Sequence, residues 1–208
     1  MAEPVIHSLI KTAISELTIQ DYVCKPLVDQ VVADARKAGL LIKPPITVWN
    51  RLVRQPRNVR MFAKFDNEIA GNDVKFGFKY STQIMTDKPM TPAMEELLAD
   101  VNRILGKNYN RILVNEYVDG DDCVGKHSDG QKELDLSQGV AAISWGGVRN
   151  FRIRNKKDNS IVANIPTTPY SLMLMDGEFQ TEFTHEIPKK KLALTRVSMT
   201  FRRHNERD

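Results

Sequence analysis

His127-Ser128-Asp129 sets an imidazole and a carboxylate two positions apart, and residues at that spacing in a strand share one face. His185 follows after enough intervening chain to return to the same place. Two histidines and one carboxylate can grip a divalent ion from one side and leave adjacent coordination positions open, as in the facial triad of non-haem iron oxygenases. Open positions suit a bidentate 2-oxo acid and dioxygen. Zinc can take the same three donors, so donor type alone leaves the metal undecided. The other two histidines, His7 and His204, lie near the ends of the sequence and read as solvated surface residues.

A second pattern bears on the same chemistry. In Arg196-Val197-Ser198-Met199-Thr200-Phe201-Arg202, strand alternation puts Arg196, Ser198, Thr200 and Arg202 on one face and Val197, Met199 and Phe201 on a core-facing one. The distal carboxylate of 2-oxoglutarate needs a fixed cation, and an arginine fork is a strong anchor for it. Standing alone, the same strand reads as an exposed amphipathic edge.

These residues must be positioned by the elements around them. Val23, Leu27, Val31 and Val32 recur at helical spacing and predict a helix over 21–38. Pro92 in a first turn, Glu95 and Glu96 beside it and Gly106 beyond predict a second helix over 91–105. Phe76, Phe78 and Tyr80 alternate as in a short strand. Beyond Asn110 the sequence becomes short strands and turns: RILVNEYV, CVGKHSDG, GVAAISW, VRNFRIR, IVANI, SLMLMDG, the His185 segment and LTRVSMTFRR. Strands this short and close argue for a jelly roll. The expected fold is α+β, mainly β, with a helical N-terminal extension over 1–54 packed on a catalytic domain over 55–208.

The 208 residues suffice for a substantial core without disulfides, and Cys24 and Cys123 form no CxxC pair, which suits a reducing compartment. The N-terminus does not read as a signal peptide, and no apolar run approaches the ~20 residues that span a bilayer. A monomer in an intracellular compartment, cytoplasmic or nuclear, with no membrane partner is expected. The net charge of +4 is mild, but Arg149, Arg152, Arg154, Lys156 and Lys157 fall in one window without an acid, and Lys189, Lys190 and Lys191 form a second cluster. Such runs either hold phosphates or solvate a strand edge.

Together, NEYVDG (115–120), HSDG (127–130), AISWGGVRNFRIR (142–154), LMLMDGEFQTEFTH (172–185), EIPKK (186–190) and RVSMTFR (196–202) resemble the AlkB family of alkylation-repair dioxygenases, from about Gln55 to Arg203. The resemblance implies a double-stranded β-helix, Fe(II) held by His127, Asp129 and His185, and 2-oxoglutarate and O2 as cosubstrates. It implies that Arg196 binds the distal carboxylate of 2-oxoglutarate and that Arg202 lies near its chelating end, with Asn115 and Tyr117 hydrogen-bonded to it. Ser198 stands where several relatives carry a carboxylate-binding asparagine, and has a shorter reach. The substrate implied is an alkylated base of DNA or RNA. Tyr80 matches a base-stacking position opposite His127, and Gln131 stands where base-repair relatives often carry an acid. Arg149 and Arg152 are expected to grip the substrate strand.

Overall fold

A computed structural model of the chain describes residues 5–37, 41–48, 51–64, 77–80, 83–130 and 132–205. Its strands and helices run β1 (His7–Lys11), β2 (Ser15–Asp21), α1 (Lys25–Arg36), β3 (Pro45–Val48), β4 (Arg51–Arg54), β5 (Asn58–Ala63), β6 (Gly77–Tyr80), β7 (Gln83–Thr86), β8 (Lys88–Pro89) and α2 (Pro92–Leu105). The second half continues with β9 (Arg111–Tyr117), β10 (Val124–His127), β11 (Val140–Gly146), β12 (Asn150–Asn155), β13 (Ile161–Pro166), β14 (Ser171–Gly177), α3 (Phe179–Glu182), β15 (Phe183–Ile187) and β16 (Arg196–Arg202). Each segment read as a strand beyond Asn110 is one.

Eight strands form the major sheet, in the order β1-β2-β14-β11-β16-β9-β5-β8, and four form the minor sheet, β10-β15-β12-β13. The two sheets enclose a core that includes Val140, Met173 and Met175 from the major sheet and Ile153, Ile165 and Phe183 from the minor. The outer face of the major sheet is covered by α1 and α2, whose Val28, Val31, Leu97 and Val101 pack on Ile112, Val114, Ile143, Val197, Met199 and Phe201. This is the mainly-β, double-stranded β-helix architecture with flanking helices that the sequence led us to expect.

Helix boundaries follow local chemistry. Thr91 caps α2 by accepting the Met94 N–H, Pro92 occupies its first turn, and Gly106 ends it at φ 62°. Helix α1 starts at Lys25 rather than Asp21 because Pro26 fits only a first turn.

Among the described residues of the expected helical segment over 1–54 there is one helix, α1. Before it, β2 pairs with β14 from Ser171↔Asp21 to Gly177↔Ser15 and so belongs to the major sheet itself. The reason lies in SELTIQD, where Glu16 to Gln20 alternate polar and apolar with a period of two, bringing Leu17 fully inside. No helix among the described residues is long and apolar enough to cross a membrane.

Candidate metal centre and cosubstrate cavity

Strands β10 and β15 pair so that His127 lies directly opposite His185, with ring centroids 4.4 Å apart. Asp129 completes the cluster, and one ligand atom from each of the three lies within 4.8 Å of the others. Strand β10 ends at His127, so Asp129 is not presented by strand alternation as the H-x-D spacing suggested. Instead the buried Gln180 of α3 accepts the Asp129 backbone N–H through Oε1 at 2.9 Å, and Arg202 donates to Asp129 Oδ1 at 2.7 Å.

The protonation states suit a metal. His127 Nδ1 sits 2.8 Å from the Gly125 carbonyl, which can only accept, so Nδ1 carries the hydrogen and Nε2 keeps a lone pair. Burial pushes His185 down to about 3, with neighbouring His127 adding to the effect. Burial also lowers His127, against the pull of Asp129. Burial by itself would raise the Asp129 carboxyl, but Arg202, His185 and His127 together hold it below the ordinary carboxylate range. Two neutral imidazoles thus face one carboxylate. Asp129 Oδ2 is buried without a protein partner, as a donor set shaped for an ion requires.

The cluster opens on a cavity of about 260 Å³ between the two sheets. Cross-strand register builds its opposite wall. Arg196 faces Tyr117 and Ser198 faces Asn115 across β16 and β9, while Ser144 faces Ser198 across β11. Every residue of β16 is buried, because the strand is central and not an edge. Its polar face lines the cavity through Arg196, Ser198, Thr200 and Arg202. Arg196 Nη2 donates to Ser144 Oγ at 3.0 Å, its guanidinium lies 5.2 Å from the Tyr117 ring centroid, and its Nε is buried without a partner. Burial lowers the Arg196 pKa, with Tyr117 acting in the opposite direction. A carboxylate in the cavity would satisfy that charge, so the donor set fits an anionic cosubstrate as well as an ion. Phe151, 5.1 Å from the His185 ring, and Met173 and Ile187 supply apolar wall.

The structure therefore brings together His127, Asp129, His185, Asn115, Tyr117, Arg196, Ser198 and Arg202. It does not bring Arg149 to a surface. That side chain is 0% exposed and donates to the carbonyls of Asp119, Asp122 and Pro188 at 3.1, 2.8 and 2.7 Å. Its expected role in gripping a strand is corrected to one of tying three loops together. Arg152 is also committed: β12 and β15 pair it opposite Glu186, it lies 3.6 Å from that carboxylate, and its Nε bonds Asn164. Arg154 shares Glu186 at 3.0 Å. Tyr80 belongs to β6, but its side chain, like all of Gln131, lies outside the described residues. His204, read as solvated, is 4% exposed because it bridges to Leu134 at the end of the barrel.

Three residues of the site escaped the sequence reading. Arg57 lines the cavity from the bend before β5, Ser144 supports Arg196, and Gln180 holds Asp129. Only Ser144 carried a legible signal, as an inward position of the strand GVAAISW.

Residues 21–202 match the model of the 2OG-Fe(II) oxygenase superfamily. The chain belongs to that superfamily, and its similarities within it lie with the AlkB homologues. It is 29% identical over 157 residues to the human (Homo sapiens) DNA oxidative demethylase ALKBH2, covering 70% of this chain and 60% of that protein. It is 30% identical over 135 residues to the alpha-ketoglutarate-dependent dioxygenase alkB homolog 3 of Rattus norvegicus, covering 60% of this chain and 46% of that one. The chain thus spans less than two thirds of the length of these relatives. The solved structure of OsALKBH1 superimposes with a TM-score of 0.56 over 90% of this chain and 97% of its own, at 14% identity, a likeness of fold alone.

Proposed function

We propose that this chain is an Fe(II)- and 2-oxoglutarate-dependent dioxygenase that removes alkyl groups oxidatively from bases of DNA or RNA. One observation carries the reading: the His127–Asp129–His185 cluster and the buried, incompletely satisfied Arg196 line the same cavity. A zinc hydrolase on the same three ligands leaves Arg196 without a purpose.

In this reading His127, Asp129 and His185 hold the iron, and Arg196 and Ser198 hold the distal carboxylate of 2-oxoglutarate. Asn115 and Tyr117 hydrogen-bond the cosubstrate, and Arg202 both steadies Asp129 and stands beside the chelating end. When bound, iron and the keto acid supply, with dioxygen, an oxidation that hydroxylates an alkyl carbon while the keto acid is decarboxylated to succinate. A methyl carbon so hydroxylated on a ring nitrogen would leave as formaldehyde, its hydroxyl proton passing to the nitrogen. Phe151, Met173 and Ile187 keep bulk water from the reacting centre. The relatives named DNA oxidative demethylase support a base as substrate, with Tyr80 and Gln131 as its proposed contacts. Residues 55–208 carry every residue of this site, and an intracellular monomer suits it.

The commitment of Arg149 and Arg152 to internal partners favours a second reading, the same oxidation on a substrate other than nucleic acid. One experiment separates the two: turnover of a panel of methylated DNA and RNA oligonucleotides with Fe(II), 2-oxoglutarate and ascorbate, followed by mass spectrometry. Demethylation that disappears in Arg196→Ala is expected. Succinate formation without loss of any oligonucleotide methyl group would select the second reading, and persistent activity in Arg196→Ala would reject the cosubstrate assignment.

A further inference from the structure

Arg57 is 6% exposed, lines the cavity and donates Nε–H to Asn115 Oδ1 at 2.8 Å. Its place follows from register: β5 pairs Val59 with Asn115, and the chain turns into β5 two residues earlier, beside the same asparagine. On its other side Asn115 faces Ser198 of β16. The Asn115 amide therefore lies between a guanidinium and the polar wall of the cavity.

An asparagine amide presents an acceptor on one side and two donors on the other, and a half-turn about its last bond exchanges them. A guanidinium can only donate. The bond from Arg57 thus fixes Oδ1 on its own side and leaves the amide NH2 for the cavity, where it has no acceptor among the described residues. The reversed amide would offer an oxygen to any carboxylate held by Arg196 and Ser198, and would set two donors against Arg57. We infer that Arg57 is a positioning residue for the 2-oxo acid cosubstrate, acting through Asn115 by fixing which face of its amide meets the ligand. The inference rests on the reading of the cavity as a 2-oxoglutarate site and adds to it a residue whose effect comes from one N–H, not from its charge.

That distinction is testable because glutamine carries a nitrogen donor at the same covalent distance from the backbone as arginine Nε, whereas lysine keeps the charge and has a methylene there. The measurement is calorimetric binding of 2-oxoglutarate to the full chain loaded with Mn(II), which takes the place of iron without turnover. Arg57→Met is expected to weaken binding about tenfold, the size of one lost bond to a charged ligand. Arg57→Gln should stay within about threefold of the unmodified chain, and Arg57→Lys should resemble Arg57→Met. In an Asn115→Ala background, Arg57→Met should add less than about twofold, because the residue through which it acts is gone. Melting curves report folding, and should Arg57→Met not fold, the order of Gln above Lys carries the same test. Lys matching the unmodified chain while Gln falls would overturn the inference, showing that charge is what matters; so would equal binding by all variants. An unmodified chain that takes up Mn(II) but not 2-oxoglutarate would overturn the reading of the cavity, and this inference with it.

Discussion

Arg196 and Arg202 on β16 and Arg149 and Arg152 around β12 are the same residue type, and none of the four is exposed. What differs is what lies across the strand. On β16 the facing residues are Tyr117, Asn115 and Ser144, neutral groups that leave Arg196 short of a counter-charge. Arg202 finds its counter-charge in Asp129, a residue of the metal cluster. Around β12, Arg152 meets Glu186 and Asn164, and Arg149 meets three backbone carbonyls, so both guanidiniums are engaged within the protein. A run of arginines is therefore no map of free positive potential; pairing decides which cations remain available to a ligand.

The comparison can be broken most directly at Arg196. Arg196→Met is expected to lower turnover of 2-oxoglutarate by about a hundredfold or more while leaving the melting temperature unchanged or raised, since it removes a buried, underpaired charge. Arg149→Met should do the reverse, costing about 3 kcal/mol of stability in chemical denaturation by stranding three carbonyls, with no effect on cosubstrate affinity at temperatures where it remains folded. If Arg149→Met instead weakened 2-oxoglutarate binding in the folded protein, the division between the two groups would fail.

A smaller effect is expected where cations remain exposed. Replacing Lys189, Lys190 and Lys191 together by alanine should weaken oligonucleotide binding several-fold and flatten its salt dependence. Arg152→Gln should change that binding by less than about twofold and stability by about 0.5 kcal/mol, as for a partly exposed ion pair. The subtlest test uses pH on the metal-free chain. Burial holds His185 down to about 3, against ~6.5 in an unfolded chain, so between those values the unfolded state binds more protons. Stability should therefore decline as pH falls below about 6.5, and His185→Asn should flatten that slope in urea titrations.

Much of this was legible in advance because it is periodic. The alternation of Asn115 with Tyr117 and that of Arg196 with Ser198 each put two functional groups on one strand face, and the backbone honours that period, whereas the H-x-D triplet pointed to the right residues although its strand stops at His127. Arg57 and Gln180 were not legible, because each acts through a contact made by a distant element. Nothing near Gln180 in the sequence foretells that its amide will hold the backbone of Asp129. Arg149 failed for the complementary reason: its three acceptors are main-chain carbonyls, which no side-chain pattern reveals. Strand β2 was missed because its five alternating residues, Glu16 to Gln20, sat beside a stronger helical signal in α1.

That strand has a consequence for how the molecule is made. Because β2 pairs with β14, residues that leave the ribosome early must wait for a partner synthesised about 150 residues later. Until then β2 has only β1 beside it and its other edge stays open, with Val5, Ile6 and Leu9 exposed nearby. Closing the major sheet is thus among the last events of biogenesis, and chaperone demand should track damage to β14 as closely as damage to β2.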